Sequence, residues 1–287
     1  MTQPPRQHQT EVVVDGLRFG EGPRWHEGRL WFSDMHEGVV LAMTPAGELE
    51  TICTVPAEPS GLGWLPDERL LVVSMQDRKL LRLEANGDLA VHADLSSLAR
   101  FHCNDMVVAE DGTAWVGNFG FDLHAGAPFR TTELIRVDPN GNAAIAAEDL
   151  GFPNGTIITP DGRTLIIAES FAGQLSAFDI ESDRSLSHRR VWAKLPEGRV
   201  PDGICLDAEG AIWVASPRGD VCLRVLEGGT VTDVVELDRG AFACMLGDAD
   251  RRTLYICTAK DSDPAKSHAR SARIERVRVP VAGVGHP

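Results

Sequence analysis

One short pattern recurs six times along the chain and constrains its fold more than any other feature. Each copy is an apolar stretch whose fourth residue is small. The copies are residues 30–34, 71–75, 114–118, 165–169, 212–216 and 254–258, so successive copies start 41, 43, 51, 47 and 42 residues apart. A repeat of this length is typical of the blades of a β-propeller.

The residues around each apolar stretch predict four strands per repeat. A turn rich in Asp and Gly precedes the stretch, as in residues 110–113 and 160–163, and another short strand precedes that turn. Two further strands follow, joined by a second turn, as in residues 80–93 and 134–147. Such turns connect antiparallel strands. The sequence therefore predicts an all-β, six-bladed β-propeller with four antiparallel strands per blade, and a β-sandwich with insertions is the alternative.

The sixth repeat lacks one strand, and the beginning of the chain supplies a candidate for it. The third strand of this repeat lies near residues 273–279 and no fourth follows, whereas the strand at residues 11–14 has no partner in the first repeat. We expect the N-terminal strand to close the last blade and protect its edge. Residues 1–287 are predicted to form a single β-propeller domain, with residues 1–9 as a flexible N-terminal tail.

Charge and hydropathy exclude several classes of partner. The chain has 42 acidic and 28 basic residues and a formal net charge of −14, which repels nucleic acid and anionic membrane surfaces. No stretch reaches the roughly 18 apolar residues of a membrane span, and the N-terminus lacks the apolar core of a signal peptide. Six cysteines without a CxxC pair indicate a reducing compartment. We expect a cytoplasmic monomer or weak homodimer that binds a small molecule, with no nucleic-acid or membrane partner.

Four of the six innermost strands begin with a carboxylate or carboxamide side chain. In a propeller these strands line the central channel, and their starting residues converge at one mouth. The starting residues are Glu21, Ser60, Asn104, Asn154, Asp202 and Ala243. Two carboxylates near one axis would repel each other and lose hydration unless a cation joined them. The oxygen donors favour a hard divalent cation such as Ca²⁺, Mg²⁺ or Mn²⁺, and a water-filled polar channel is the alternative.

Five motifs run in order along nearly the whole chain and together resemble one family. They are residues 20–25 (GEGPRW), Asn104-Asp105, residues 152–155 (FPNG), residues 201–203 (PDG) and Leu254-Tyr255. In these residues the chain is similar to the regucalcin/gluconolactonase family, also called the luciferin-regenerating-enzyme-like family, of metal-dependent six-bladed propellers.

The resemblance implies a metal site and a reaction. Glu21, Asn154 and Asp202 would bind one divalent metal ion, with Ca²⁺ favoured and Mg²⁺, Mn²⁺, Zn²⁺ or Fe²⁺ as alternatives. The implied activity is that of a metal-dependent lactonase, a hydrolase acting on carboxylic esters, in which Asp202 is the catalytic general base. Asn104 would contact the substrate or a metal-bound water.

Departures from the family pattern point to a less hydroxylated substrate. Sugar-lactone members carry an Arg two residues before the Asn-Asp pair, where this chain has His102, and the change removes a fork-shaped donor that suits polyol oxygens. Phe119 and Phe121 would also make the mouth more apolar. We predict that the substrate is bound by Asn104, His102, Asn118, Phe121 and Ser60. His102 and His124 are candidate acid or base groups because an imidazole ordinarily titrates near neutral pH, and a surface position without catalytic role is the alternative for both.

The roles of two long connections and the type of reaction each have more than one interpretation. Residues 125–130 form either a substrate lid or a passive surface loop, and residues 260–272 are polar and Ser-rich, as mobile loops are. The donor set suits a phosphoryl group as well as a carbonyl. Hydrolysis of other esters or organophosphates, and a non-catalytic calcium-binding propeller, are therefore the alternatives to the lactonase.

Overall fold

The computed structural model describes residues 4–285 and confirms the six-bladed β-propeller of antiparallel sheets. Blade one consists of strands Gly20–His26, Arg29–Asp34, Val39–Met43 and Leu49–Thr54. Blade two consists of Pro59–Trp64, Leu70–Ser74, Lys79–Leu83 and Leu89–Asp94. Blade three consists of Cys103–Val108, Ala114–Asn118, Thr132–Val137 and Ala143–Leu150. Blade four consists of Pro153–Ile158, Thr164–Glu169, Gln174–Ile180 and Leu186–Lys194. Blade five contains Ile204–Leu206, Ile212–Ser216, Val221–Val225 and Val231–Glu236.

Blade six joins the two ends of the chain. Its strands Gly240–Gly247, Thr253–Ala259 and Ala272–Arg278 are followed in the sheet by Glu11–Leu17, which pairs antiparallel with Ala272–Arg278. The predicted closure by the N-terminal strand is therefore confirmed. The helical elements of residues 4–285 are two short 3₁₀ turns, Met35–Glu37 and Pro264–Ala269, and none has the length or apolar character to cross a membrane.

The predicted flexible tail at residues 1–9 is wrong for part of its length. Arg6–His8 forms a strand that pairs in parallel with Val231–Glu236 and gives blade five a fifth strand. The His8 Nε2 atom lies 2.9 Å from the Oδ1 atom of Asp233, a fully buried carboxylate that needs a partner. Backbone pairing and this contact fix residues 6–8 to the outer edge of the sheet. Residues 1–3 lie outside the described part of the chain.

The apolar repeats form the second strand of each blade, and all of their residues are buried. Neighbouring blades cover both faces of this strand, so the residues do not alternate between apolar and polar. The small fourth residue stands where the next blade comes close. A Cβ atom on Gly117 would lie 2.7 Å from the Pro153 carbonyl oxygen, and the Ser33 hydroxyl donates to the Ser60 carbonyl oxygen at 2.7 Å. The repeat is thus a consequence of blade-to-blade packing.

Candidate active site

A cavity of about 660 Å³ opens at one mouth of the central channel, and two sets of residues form its wall. Because the first two strands of a blade are antiparallel, the start of the first lies beside the end of the second. The first set enters or begins the inner strands and includes Phe19, Glu21, Glu58, His102, Asn104, Phe152, Asn154, Arg199, Asp202 and Phe242. The second set follows the second strands and includes Met35, His36, Met75, Gln76, Phe119, Ser170, Phe171, Pro217 and Arg218.

Irregular strand pairing re-aims the side chains at the start of the inner strands. The pairing with the second strand breaks between Glu21 and Arg24, between Cys103 and Met106, and between Pro153 and Thr156. Such bulges bend a strand and redirect its side chains. In blade five Asp202 precedes the inner strand, and its backbone N–H donates to the Ala215 carbonyl oxygen at 2.9 Å.

Glycines let the inner strands approach one another around the axis. A Cβ atom on Gly155 would lie 2.5 Å from the Ile204 backbone nitrogen and 2.7 Å from the Asp202 carbonyl oxygen. A Cβ atom on Gly203 would lie 2.5 Å from the Ala243 Cα atom. Any larger residue would separate the backbones that carry Asn154 and Asp202.

The surroundings of Glu21 and Asp202, the two carboxylates of the cavity floor, disfavour their charged forms. Glu21 and Asp202 are both buried. Burial raises the pKa of Glu21 well above its usual value, and the negative charge of Asp202 raises this pKa further. Burial and the charge of Asp105 likewise raise the pKa of Asp202, against hydrogen bonds from Asn154 and the Gly203 N–H that lower it. Ionising both carboxylates would therefore be costly without a positive partner.

The donors at this point suit a hard cation. The Asp202 Oδ1 atom is buried and has no hydrogen-bond partner among residues 4–285. Asn154, which lines the cavity, donates through Nδ2 to the Ser170 hydroxyl at 3.3 Å, and its amide oxygen accepts no hydrogen bond from within residues 4–285. Residues 4–285 contain no cluster of three His, Cys, Asp or Glu side chains that could hold a metal. The candidate donors are two carboxylates and one amide, and such oxygen atoms are the ligands that Ca²⁺ prefers.

Comparison with known proteins decides the family. The model of the SMP-30/Gluconolactonase/LRE-like region matches residues 19–260, which is most of the chain. The chain belongs to this family. A pentonolactonase of Haloferax volcanii is 27% identical over 97% of this chain and 96% of the relative. A 6-deoxy-6-sulfogluconolactonase of Pseudomonas putida is 27% identical over 96% of each chain. The structure of a calcium-binding protein, regucalcin, from Agrobacterium tumefaciens has the same fold, with a TM-score of 0.82 and 21% identity over 99% of both chains.

Five of the eight residues predicted to bind metal or substrate in this family member lie on the cavity wall. They are Glu21, His102, Asn104, Asn154 and Asp202. His102 stacks on Phe101, with ring centroids 4.1 Å apart, and burial lowers its pKa. Its imidazole is therefore neutral at neutral pH. The Asn104 Nδ2 atom lies 3.4 Å from the Pro153 carbonyl oxygen, so the side chain bridges blades three and four.

Three predicted substrate contacts lie outside the cavity lining. The prediction for Asn118 is wrong because this fully buried side chain is occupied: it donates to the Glu133 carbonyl oxygen at 2.8 Å and accepts from the Gly120 N–H and the Thr132 hydroxyl. Ser60 is buried beneath the wall, and Phe121 is buried among other phenylalanine rings rather than against the cavity. Strand alternation alone does not reveal which side chains at a strand end turn inward.

A histidine and glutamate pair on the wall was missed from the sequence. The His36 Nδ1 atom lies 3.0 Å from Glu58 Oε1, and its Nε2 atom lies 3.2 Å from the Ser262 carbonyl oxygen. The two ring nitrogens of His36 thus face one carboxylate oxygen and one carbonyl oxygen. Burial would raise the pKa of Glu58, but hydrogen bonds from His36 and Gln76 outweigh it and lower the pKa. The position of His36 directly after a second strand was the signal that could have identified it.

Aromatic side chains dominate the side of the cavity formed by blades three and four. Phe119 and Phe152 pack at 4.6 Å, Phe152 and Phe171 at 5.4 Å, and Phe171 stacks on Phe129 of the insertion at 5.2 Å. Phe129 and Phe171 are each nearly half exposed. The insertion at residues 125–130 therefore extends an apolar surface outward from the rim.

The extension at residues 260–272 covers part of the opposite rim. It contains the 3₁₀ turn Pro264–Ala269, and Ser262 and Pro264 contribute to the cavity wall. Asp263 caps the turn by accepting from the Ala265 N–H at 2.9 Å. The segment that sequence alone marks as mobile thus has a defined conformation next to His36.

Proposed function

We propose that this protein is a lactonase that opens its substrate ring with one divalent cation bound by Glu21, Asn154 and Asp202. The observation that carries the proposal is the pair of buried carboxylates beside the cavity, of which Asp202 Oδ1 has no partner among residues 4–285. A cation would remove the cost of ionising both groups. The oxygen donors favour Ca²⁺, and the names of the relatives, two lactonases and a calcium-binding protein, support both parts of the proposal.

The chain supplies the base and the environment for hydrolysis. A divalent cation held by Glu21, Asn154 and Asp202 would supply positive charge that polarises a carbonyl and lowers the pKa of a water. Asp202 would accept a proton from the attacking water as the water oxygen bonds to the carbonyl carbon and the carbonyl oxygen takes up the negative charge. When the ring C–O bond breaks, Asp202 returns the proton to the departing alkoxide, and the product is a hydroxy acid. Asn104 and the neutral His102 lie on the same wall and orient the substrate by hydrogen bonds.

The lining favours a lactone with few hydroxyl groups. Phe119, Phe152 and Phe171 offer rings where a polyol would need donors and acceptors. His102 stands at the position where sugar-lactone relatives carry an arginine. We therefore expect alkyl-substituted or aryl-substituted lactones to be better substrates than fully hydroxylated sugar lactones.

A metal-dependent assay tests this proposal. Protein stripped with a chelator should lose the ability to open γ- and δ-lactones, and Ca²⁺, Mg²⁺ or Mn²⁺ should restore it. Asp122→Asn is the matched control, because Asp122 is a carboxylate on the same wall that the proposal does not use. It should retain most of the metal-restored rate. Full turnover by stripped protein would contradict the metal-dependent mechanism.

The same assay separates the competing functions. Turnover of aryl esters or organophosphates without turnover of any lactone would replace the lactonase with another hydrolase. Tight Ca²⁺ binding without turnover of any of these substrates would favour a non-catalytic calcium-binding propeller.

A further inference from the structure

Two arginines on the cavity wall lack an acidic partner. Arg199 precedes the inner strand of blade five, and Arg218 follows the second strand of the same blade. Neither guanidinium has a carboxylate within 4.0 Å among residues 4–285. The protein carries a formal net charge of −14, so carboxylates are plentiful on its surface. Two unpaired arginines side by side on a cavity wall therefore need an explanation.

The local backbone holds Arg199 in a defined place. Its Nη1 atom donates to the Arg218 carbonyl oxygen at 3.3 Å, and its guanidinium lies directly against Gly219. A Cβ atom on Gly219 would lie 1.2 Å from Nη1 and 2.5 Å from Cζ of Arg199. The next residue, Val200, donates its N–H to the Ser216 hydroxyl at 3.1 Å. The missing side chain at Gly219 thus provides the space that the guanidinium fills.

Arg199 lies close enough to the proposed metal site to contact one end of a bound substrate. It precedes Asp202 by three residues, which limits the separation of their Cα atoms to about 10 Å. The cavity of about 660 Å³ is large enough for a drug-sized ligand and exceeds what a bare lactone ring fills. A substituent on the ring can therefore extend to the arginines while the carbonyl lies at Asp202.

The acidic groups of the cavity do not neutralise these arginines. Glu58 is paired with His36 at 3.0 Å. Glu21 and Asp202 would be neutralised by the divalent cation. Asp122 accepts the Ala125 N–H at 3.0 Å in its own loop. The positive charge of Arg199 and Arg218 is left for a ligand.

We propose that the substrate is a lactone carrying a second, anionic group, a carboxylate or a similar oxyanion, which Arg199 binds with the support of Arg218. This inference rests on the proposed lactonase function and adds the class of its substrate. A guanidinium presents paired N–H groups that match the oxygens of a carboxylate. The net negative charge of the protein disfavours anions at long range, so recognition depends on this local contact.

Matched pairs of lactones test the proposal. Each pair is a γ-lactone whose ring substituent ends in a carboxylate or in the neutral, nearly isosteric carboxamide, with zero to three methylene groups as spacer. Wild-type protein should favour the carboxylate by about tenfold or more in kcat/KM for at least one spacer, mainly through KM. Arg199→Gln should reduce this preference to nearly one, and Arg199→Lys should keep part of it.

A control of equal charge separates recognition from the overall field. Arg163→Gln changes the formal net charge from −14 to −15, as Arg199→Gln does, but Arg163 lies on an exposed turn outside the cavity wall. It should leave the preference unchanged. Equal turnover of acid and amide at every spacer in the wild type, or a preference that survives Arg199→Gln, would overturn the proposal.

A binding measurement keeps the inference testable if the proposed function fails. Calorimetric titration of the same acids and amides into an Asp202→Asn variant measures affinity without turnover. Tighter binding of the acid, lost when Arg199→Gln is added, would support anion recognition even if no lactone were opened. Equal affinity for acid and amide would refute it, whatever the outcome of the rate assay.

Discussion

Two neighbouring buried carboxylates of the central channel solve the same electrostatic problem in different ways. Asp105 and Asp202 are both buried carboxylates, and burial raises the pKa of both. Asp105 receives a hydrogen bond from Arg24 Nη2 at 2.8 Å, and Arg24 lines a cavity of only about 20 Å³ at the other end of the channel. Asp202 has an oxygen without a partner and borders the large cavity.

The difference separates a structural ion pair from a binding site. A buried carboxylate with an internal cation needs nothing from solution and leaves little space beside it. In the proposed function, a buried carboxylate with an open acceptor, a second carboxylate nearby and a cavity in front takes its cation from outside. The comparison supports placing the proposed chemistry at Asp202, and each prediction below changes one of these two carboxylates or a residue beside the large cavity.

The largest expected effect is the loss of activity when Asp202 is replaced. Asp202→Asn removes the proposed base and one cation ligand, so kcat/KM for lactones should fall by about 10²–10⁴-fold or more. The melting temperature of the metal-free variant should equal or exceed that of metal-free wild type, because a strained carboxylate has been removed. A large loss of stability without added metal would show that Asp202 is instead a structural residue like Asp105.

The same substitution at Asp105 should instead affect stability. Asp105→Asn leaves the buried Arg24 guanidinium without its counter-charge, which should lower the free energy of unfolding by about 3–5 kcal/mol in urea titrations. The double variant Arg24→Met with Asp105→Leu should recover much of this loss. A cost below about 1 kcal/mol would indicate that Arg24 finds another partner.

An intermediate effect is expected where blades four and five meet. Gly155→Ala places a Cβ atom 2.5 Å from a backbone nitrogen, so the strands carrying Asn154 and Asp202 must separate. The free energy of unfolding should fall by about 1–3 kcal/mol, and metal affinity should weaken in calorimetric titrations.

Gly20→Ala is the matched control for this variant. It lies next to Glu21, but its Cβ atom would meet only ordinary contacts of 3.5 Å or more. It should change stability and metal affinity much less than Gly155→Ala does. Equal effects of the two variants would mean that close approach of the blades does not shape the site.

The smallest expected effect is on stability and concerns the pair of His36 and Glu58 beside the large cavity. Folding lowers the pKa of Glu58 below the value near 4.5 that it has in the unfolded chain. The charged carboxylate therefore stabilises the fold fully at pH values above 4.5. This stabilisation is lost as the pH falls through the lowered pKa of the folded state. Glu58→Gln should cost roughly 1–2 kcal/mol at pH 7. The difference from wild type should shrink in urea titrations below pH 4.5; a constant difference would contradict the pairing with His36.

The repeat pattern was sufficient to predict the fold and much of the cavity floor. The six buried second strands recur at a spacing that the radial packing of propeller blades explains. Because the inner strands of such blades begin at one mouth of the channel, the pattern also places Glu21, Asn104, Asn154 and Asp202 there. The positions of Asn118 and Ser60 were not predictable from this pattern, because bulges decide which side chains turn inward. Arg199 was missed because its place depends on the space at Gly219, a contact between loops.

Diffraction from crystals grown with Ca²⁺ tests the central claim most directly. The account predicts one strong peak at the large-cavity mouth, about 2.3–2.6 Å from oxygens of Glu21, Asn154 and Asp202. The same experiment on Asp202→Asn crystals should show a weaker peak or none. Absence of the peak in wild-type crystals, or a peak bound by other side chains, would contradict the account.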